Sequence, residues 1–373
     1  MLKRQKIFFD FLRFSIGSAK EIPDSLKEAD WKELYRIAQK QALLGVLFHG
    51  IRRLPKELAP EQKLLMQWMA MAEQIRKQNI KLFQNSVKVC QNFENEGFAN
   101  CILKGQGNAL LYPDPYMRTP GDIDIYLSGG RRKIMKYVDQ VCPNQVMRYH
   151  HVDFPVKKTA IEVHFTPSYM FCPIHNRRMQ KWFEDVMGEQ CKHRVSLPDG
   201  YGEIHVPTAS FNVIYILSHL YRHIFTEGIG LRQLLDYYYV LISDDLLLIR
   251  DRVQKRLKHL GLWKFAQAVM FVMKEVFGLS ENRMIAPMDE KEGRFLLDEI
   301  MRGGNFGQYD DRMGSKVGES KIHRYFRMNL RNLRFVKHYP TEALSEPLFR
   351  TWFAVWKKIE DTWNKIINEH RQF

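Results

Sequence analysis

Asp122 and Asp124 are separated by a single apolar residue in the run Gly121-Asp122-Ile123-Asp124-Ile125-Tyr126-Leu127. In a strand, residues i and i+2 share a face, so both carboxylates project together while Ile123 and Ile125 turn into a core. Two adjacent carboxylates make an oxygen-rich site suited to Mg²⁺. A third acid, Glu162, lies in Ala160-Ile161-Glu162-Val163-His164-Phe165, where alternation sets Glu162 and His164 opposite Ile161, Val163 and Phe165. If the two strands are neighbours, spaced by about 4.8 Å, Glu162 completes a three-carboxylate cluster. Such a cluster can hold two divalent ions about 3.5 to 4 Å apart, an arrangement that fits phosphoryl or nucleotidyl transfer.

Charge for a phosphate is at hand. A strand ending at Lys104, then Gly105 and a helix from about Gln106, presents backbone N–H groups and a positive helix end to an anion, and Lys104 and Arg118 add cations. A substrate pocket could also draw on His164, His219, His223 and Arg232. His219, His223 and Glu227 fall at i, i+4 and i+8 on one face of an expected helix, but no Glu follows His219, so the zinc-protease pattern is absent. Arg232 and Asp236 stand one helical turn apart and are expected to pair locally. Cys172 with His175 and Cys191 with His193 have spacings unusual for structural zinc, and packed or free thiols are expected there.

The elements that must position these groups fall into three regions. Residues 1–96 read as helical, with a long helix over 60–96, roughly 55 Å in length, as a strut. Residues 97–207 alternate short apolar runs with short helices: strands at 99–103, 122–127, 145–152 and 160–165, helices at 106–112 and 131–141. Residues 208–373 return to helical periodicity, at 211–225, 231–242, 246–260, 262–277, 321–338 and 348–367. The stretch 302–320, with five glycines, reads as a loop.

Leu103-Lys104-Gly105, Arg118, Asp122-Ile123-Asp124 and Glu162-Val163-His164 together resemble the bacterial "uncharacterised nucleotidyltransferase" family of the DNA polymerase β-like nucleotidyltransferase superfamily. His219, His223 and Gly230-Leu231-Arg232-Gln233-Leu234-Leu235-Asp236 resemble its helical part. The resemblance implies an α+β fold, a small mixed-sheet nucleotidyltransferase core flanked by N-terminal and C-terminal helical regions. It implies two Mg²⁺ ions, for which Mn²⁺ can substitute, and transfer of an NMP group from an NTP to a hydroxyl of a small molecule, RNA or protein. Asp122 and Asp124 would then bind metal, Glu162 would be the third acid, and Lys104 with Gly105 would lie near the triphosphate. Many superfamily members carry a Gly-Ser or Gly-Gly pair in that turn, whereas here Gly105 is followed by Gln106, Gly107 and Asn108. That departure supports the alternative of a catalytically inactive member that binds RNA or a protein partner through its basic helical lobe.

Composition bounds the rest. The 373 residues suggest two or three packed units, and 45% hydrophobic with 13% aromatic residues exclude a disordered chain. A formal net charge of +15 points to an anionic partner. Arg324, Arg327, Arg331 and Arg334 recur at 3, 4, 3 spacing, which predicts a basic helix face for RNA or an anionic surface. Phe349, Trp352, Trp356 and Trp363 are expected in the core. Five cysteines are few for a disulfide framework, which points to a cytoplasmic protein. The basic, apolar opening segment is broken by Asp10 and Arg13 and reads as an amphipathic helix rather than a signal peptide. No transmembrane segment is expected, because no run approaches 18 apolar residues.

Overall fold

A computed structural model describes residues 3–155, 159–313 and 319–370. Helix α1 (Lys3–Ile16) buries Phe8, Phe9, Phe11, Leu12 and Phe14, so the opening segment is a packed helix. Helix α2 (Trp31–Lys40) starts at Asp30, whose carboxylate accepts from the N–H groups of Lys32 and Glu33, and α3 (Leu44–Ile51) follows. Helix α4 (Gln62–Asn95) is the strut. Its buried Trp68, Ala72, Ile75, Asn79, Phe83, Ser86, Cys90 and Phe93 recur every three or four residues, and Gly97 at φ +75° ends it.

The sheet is small and mixed. Strand β1 (Asn100–Ile102) leads through the single-turn α5 (Gln106–Ala109) to β2 (Ile123–Leu127), α6 (Gly130–Val141), β3 (His151–Asp153) and β4 (Ile161–His164). The spatial order is β1-β2-β4-β3; β2 and β4 run parallel, and both edge pairings are antiparallel. Ile123, Ile125, Ile161 and Val163 point into a core closed by α4 and α6. Next come α7 (Pro173–Gln190) and a hairpin of β5 (Arg194–Ser196) and β6 (Glu203–His205). The helical lobe comprises α8 (Ala209–Thr226), α9 (Leu231–Leu241), α10 (Arg250–His259), α11 (Trp263–Phe277), α12 (Glu290–Gly303), α13 (Lys321–Val336) and α14 (Pro340–His370). Its core is continuous with that of α1 and α3. The architecture is α+β.

Several elements differ from the sequence reading. The run 145–152 is not one strand: Met147 bridges back to Val152, so the chain turns on itself before β3. The helix expected over 106–112 stops at Ala109, and the one expected from 246 begins with a 3-10 turn and becomes α10 only at Arg250. Helices α7 and α12 and the β5–β6 hairpin were not legible as elements. Of the expected loop 302–320, short 3-10 turns occupy Asn305–Gly307 and Asp311–Met313, and 314–318 lie outside the described residues. Among the described residues, no helix is long and apolar enough to cross a membrane.

The expected basic face of α13 is not presented as one. Arg327 is bonded to Glu319, Arg334 lies 3.4 Å from Glu299 and 3.7 Å from Asp310, and Arg331 is buried; only Arg324 is exposed. The apolar stripe Ile322, Phe326, Leu330 and Leu333 faces outward instead. Acidic groups on the α12 side and in the segment preceding α13 draw the arginines in. Trp352 is likewise 52% exposed rather than core, Phe349 and Trp356 are half-buried, and the side chain of Trp363 lies outside the described residues.

Candidate active site

Residues paired across parallel strands stand side by side on one face, and the β2–β4 register pairs Asp124 with Glu162 and Tyr126 with His164. Asp122 stands two residues before Asp124, at the entrance to β2, and remains open to solvent while Asp124 is buried. The loop feeding this strand is pinned from beneath. Asn79 of α4 donates to the carbonyls of Tyr116 (2.7 Å) and Arg118 (2.8 Å), and the Thr119 hydroxyl donates to the Ala42 carbonyl (2.6 Å). Gly105, at φ +55° and ψ −105°, makes the turn after Lys104 in a conformation an L side chain resists. Because α5 is one turn long, and the Gly107 N–H already donates to the Lys104 carbonyl, the helix-end cradle expected here is reduced to a tight turn.

Lys104 reaches across to the acids. Its Nζ lies 2.8 Å from Asp124 Oδ1 and 3.3 Å from His219 Nε2. On the other side, His164 Nε2 is 3.0 Å from the same Asp124 oxygen and 3.5 Å from Glu162 Oε2. Burial alone would raise Asp124, but the Lys104 ammonium and the His164 hydrogen bond override it and hold the carboxyl well below the usual range. Burial likewise opposes charge on His164, yet its bonds to Asp124 and Glu162 leave it raised. Asp122 goes the opposite way: repulsion from Asp124, then desolvation, push it up to about 6.

The site therefore carries an excess of negative charge that a cation would relieve. Asp124, Glu162 and His164 each offer a ligand atom within 4.8 Å of the others, a donor set that fits a divalent ion, with Asp122 beside it. The sign of the Asp122 shift gives a prediction. Its folded value lies above the unfolded value of about 3.9, so its ionisation lowers stability as pH rises from about 4 to about 6. Asp122→Asn is expected to stabilise the fold in chelator at pH 7 by up to about 1 kcal/mol after solvent screening, read as a rise in melting temperature, and to show no such gain near pH 4. Melts across this range check it; a gain independent of pH contradicts it.

Helices α8 and α9 form the opposite wall. His219 and His223 share a face of α8, with His223 Nδ1 3.4 Å from Glu227; Arg222 lies 3.3 Å from His219 Nδ1 and 3.1 Å from His223 Nε2. Burial, reinforced by nearby cations, keeps both imidazoles neutral, with His223 pushed down to about 4. The local pair expected between Arg232 and Asp236 is not a hydrogen-bonded one. Asp236 instead takes Nε and Nη2 of Arg118, at 2.7 and 2.8 Å, and the Tyr112 hydroxyl at 2.7 Å. Arg232 Nη1 donates to the Thr119 carbonyl at 3.0 Å. Arg118, read from sequence as a phosphate contact, is thus committed to bracing α9 against the loop that leads into Asp122. Phe306 lines the cleft, with the Arg232 guanidinium 5.5 Å from its ring, and the cleft holds about 50 Å³.

Elsewhere, Cys172 and His175 group with Glu342 rather than with Cys191 and His193; Glu342 accepts from the Phe171 and Cys172 N–H groups, and the five cysteines form no disulfide. The site also contains residues that sequence reasoning missed: His150, His151 and Asp153 on the β3 side, and Asp236 as the partner of Arg118. The His150-His151 doublet was the available signal, but only the antiparallel return of β3 onto β4 brings it to the acids.

A mixed sheet presents paired acids at the mouth of a cleft under a helical wall. The chain belongs to the family described as uncharacterised nucleotidyltransferase, which matches residues 27–278. No curated protein and no solved structure matches it.

Proposed function

We propose that this protein transfers a nucleoside monophosphate from an NTP to a hydroxyl acceptor, using Mg²⁺, or Mn²⁺ in its place, held by Asp122, Asp124 and Glu162. The observation that carries this reading is the side-by-side pairing of Asp124 and Glu162, with Asp122 at the open end of the same strand face. The acceptor oxygen attacks the α-phosphorus, the bond to the β-phosphate oxygen breaks, and pyrophosphate leaves with the bonding electrons. The hydroxyl proton passes to one of the acids. Divalent cations at this site supply charge neutralisation for the α-phosphate and the departing pyrophosphate. Lys104 brings a positive charge to the phosphate side of the cleft, while His219 and Arg232 line the wall facing it and His223 stands one turn further along α8. Asp124 and Lys104 hold each other in place, which keeps the carboxylate ionised and oriented.

Equilibrium dialysis with a non-cleavable NTP analogue tests the binding half of this reading. Wild-type protein is expected to bind it only with a divalent cation, and the Asp122→Asn, Asp124→Asn variant is expected not to bind; cation-independent binding of equal strength by both contradicts it. The cleft beneath Phe306 is smaller than the roughly 300 Å³ of a small-ligand pocket, so the ring must move to admit a nucleotide. Phe306→Ala is accordingly expected to tighten analogue binding about three- to tenfold by removing that step. Unchanged or weaker binding would show that the ring is not the obstacle.

A further inference from the structure

Behind the carboxylates, three histidines converge. His150 and His151 enter β3 and His164 ends β4, with His151 paired to His164 in the antiparallel register. All three rings are buried. His150 Nε2 lies 3.3 Å from His151 Nδ1; His151 Nδ1 lies 3.3 Å from Glu162 Oε2; that oxygen lies 3.5 Å from His164 Nε2. One ring nitrogen from each histidine falls within 4.8 Å of the other two.

These separations are long for N–H···O hydrogen bonds, which cluster near 2.9 to 3.0 Å. One ring nitrogen from each of three histidines, gathered this closely, is a donor set suited to an ion bound at about 2.0 to 2.1 Å. The outward nitrogens, His150 Nδ1, His151 Nε2 and His164 Nδ1, have no hydrogen-bond partner. His164 Nε2 is held by Asp124 Oδ1 at 3.0 Å, but no hydrogen bond accounts for burying the three outward nitrogens, and unpaired buried polar groups are costly.

We propose that His150, His151 and His164, each through one ring nitrogen, form a site for a borderline transition-metal ion of the Zn²⁺ type. Imidazole nitrogen suits Zn²⁺, Co²⁺ and Ni²⁺, whereas Mg²⁺ takes oxygen ligands, so the donor set separates this site from that of Asp122 and Asp124. The site excludes Asp122 and stands or falls independently of nucleotidyl transfer.

The test is metal binding by the full chain, first stripped with chelator, in millimolar Mg²⁺. Titrated Zn²⁺ is expected to bind with a stoichiometry of about one and micromolar or tighter affinity that Mg²⁺ does not displace. Co²⁺ is expected to give the intense visible absorption of a four-coordinate ion. His150→Ala with His151→Ala is expected to weaken Zn²⁺ binding about 100-fold or more while circular dichroism in chelator is retained. Asp122→Asn is expected to keep the Co²⁺ spectrum while losing transfer, which separates this site from the catalytic reading. A wild-type protein that binds no stoichiometric Zn²⁺, or whose Co²⁺ spectrum is that of the six-coordinate aqueous ion, overturns the proposal without reference to any variant. So does a folded double variant that binds as tightly as wild type.

Discussion

Asp124→Asn is expected to lower nucleotidyl transfer about a thousandfold or more, with circular dichroism unchanged. The carboxylate is buried, lies beside Glu162 across β2 and β4, and is kept ionised by Lys104 at 2.8 Å and His164 at 3.0 Å. An amide of the same shape keeps the packing but removes the charge on which both cations converge. It leaves Lys104 and His164 facing a neutral group and takes away one of the proposed metal ligands. Losing several kcal/mol of transition-state charge stabilisation, about 4 kcal/mol, corresponds to about a thousandfold in rate. Pyrophosphate release under saturating NTP and cation measures it. A residual rate within tenfold of wild type would remove Asp124 from the reacting centre.

The second large effect is on stability. Asp236→Ala is expected to destabilise the fold by about 3 to 5 kcal/mol, because it leaves the Arg118 guanidinium buried without its carboxylate. The side chains are 5% and 8% exposed, and the bonds are bidentate, with the Tyr112 hydroxyl as a third donor to the same acid. Replacing both partners, Arg118→Met with Asp236→Leu, is expected to recover much of that loss, since the desolvation of both charges disappears together. Urea denaturation midpoints of the single and double variants form the check. If Asp236→Ala shifts the midpoint by less than the equivalent of about 1 kcal/mol, the pair is not what holds α9 to the Asp122 loop.

Period-two alternation made the acids legible: it put Asp122 with Asp124, and Glu162 with His164, on single strand faces before any neighbour was known. The long helix was legible for the same reason, since the buried positions of α4 repeat without a break. What was not legible depended on partners distant in sequence. Helical spacing brings Arg232 near Asp236, but Arg118 arrives from another element with a bidentate fork and takes the carboxylate. On α13, periodicity defines an arginine stripe and an apolar stripe without saying which turns inward; Glu299, Asp310 and Glu319 decide it. The doublet His150-His151 is visible in the sequence, but its meaning lies in the return of β3 onto β4.

The most direct measurement supplies wild-type and Asp122→Asn, Asp124→Asn protein with each NTP, labelled at the α- or the γ-phosphate, together with Mg²⁺ and fractionated small molecules, RNA and protein. Label from the α-phosphate alone entering one fraction, in the wild type only, is the expected result, and that fraction identifies the acceptor class. Entry of γ-label would show phosphoryl rather than nucleotidyl transfer, and equal labelling by the double variant would show that these acids do not carry the reaction; either contradicts the account.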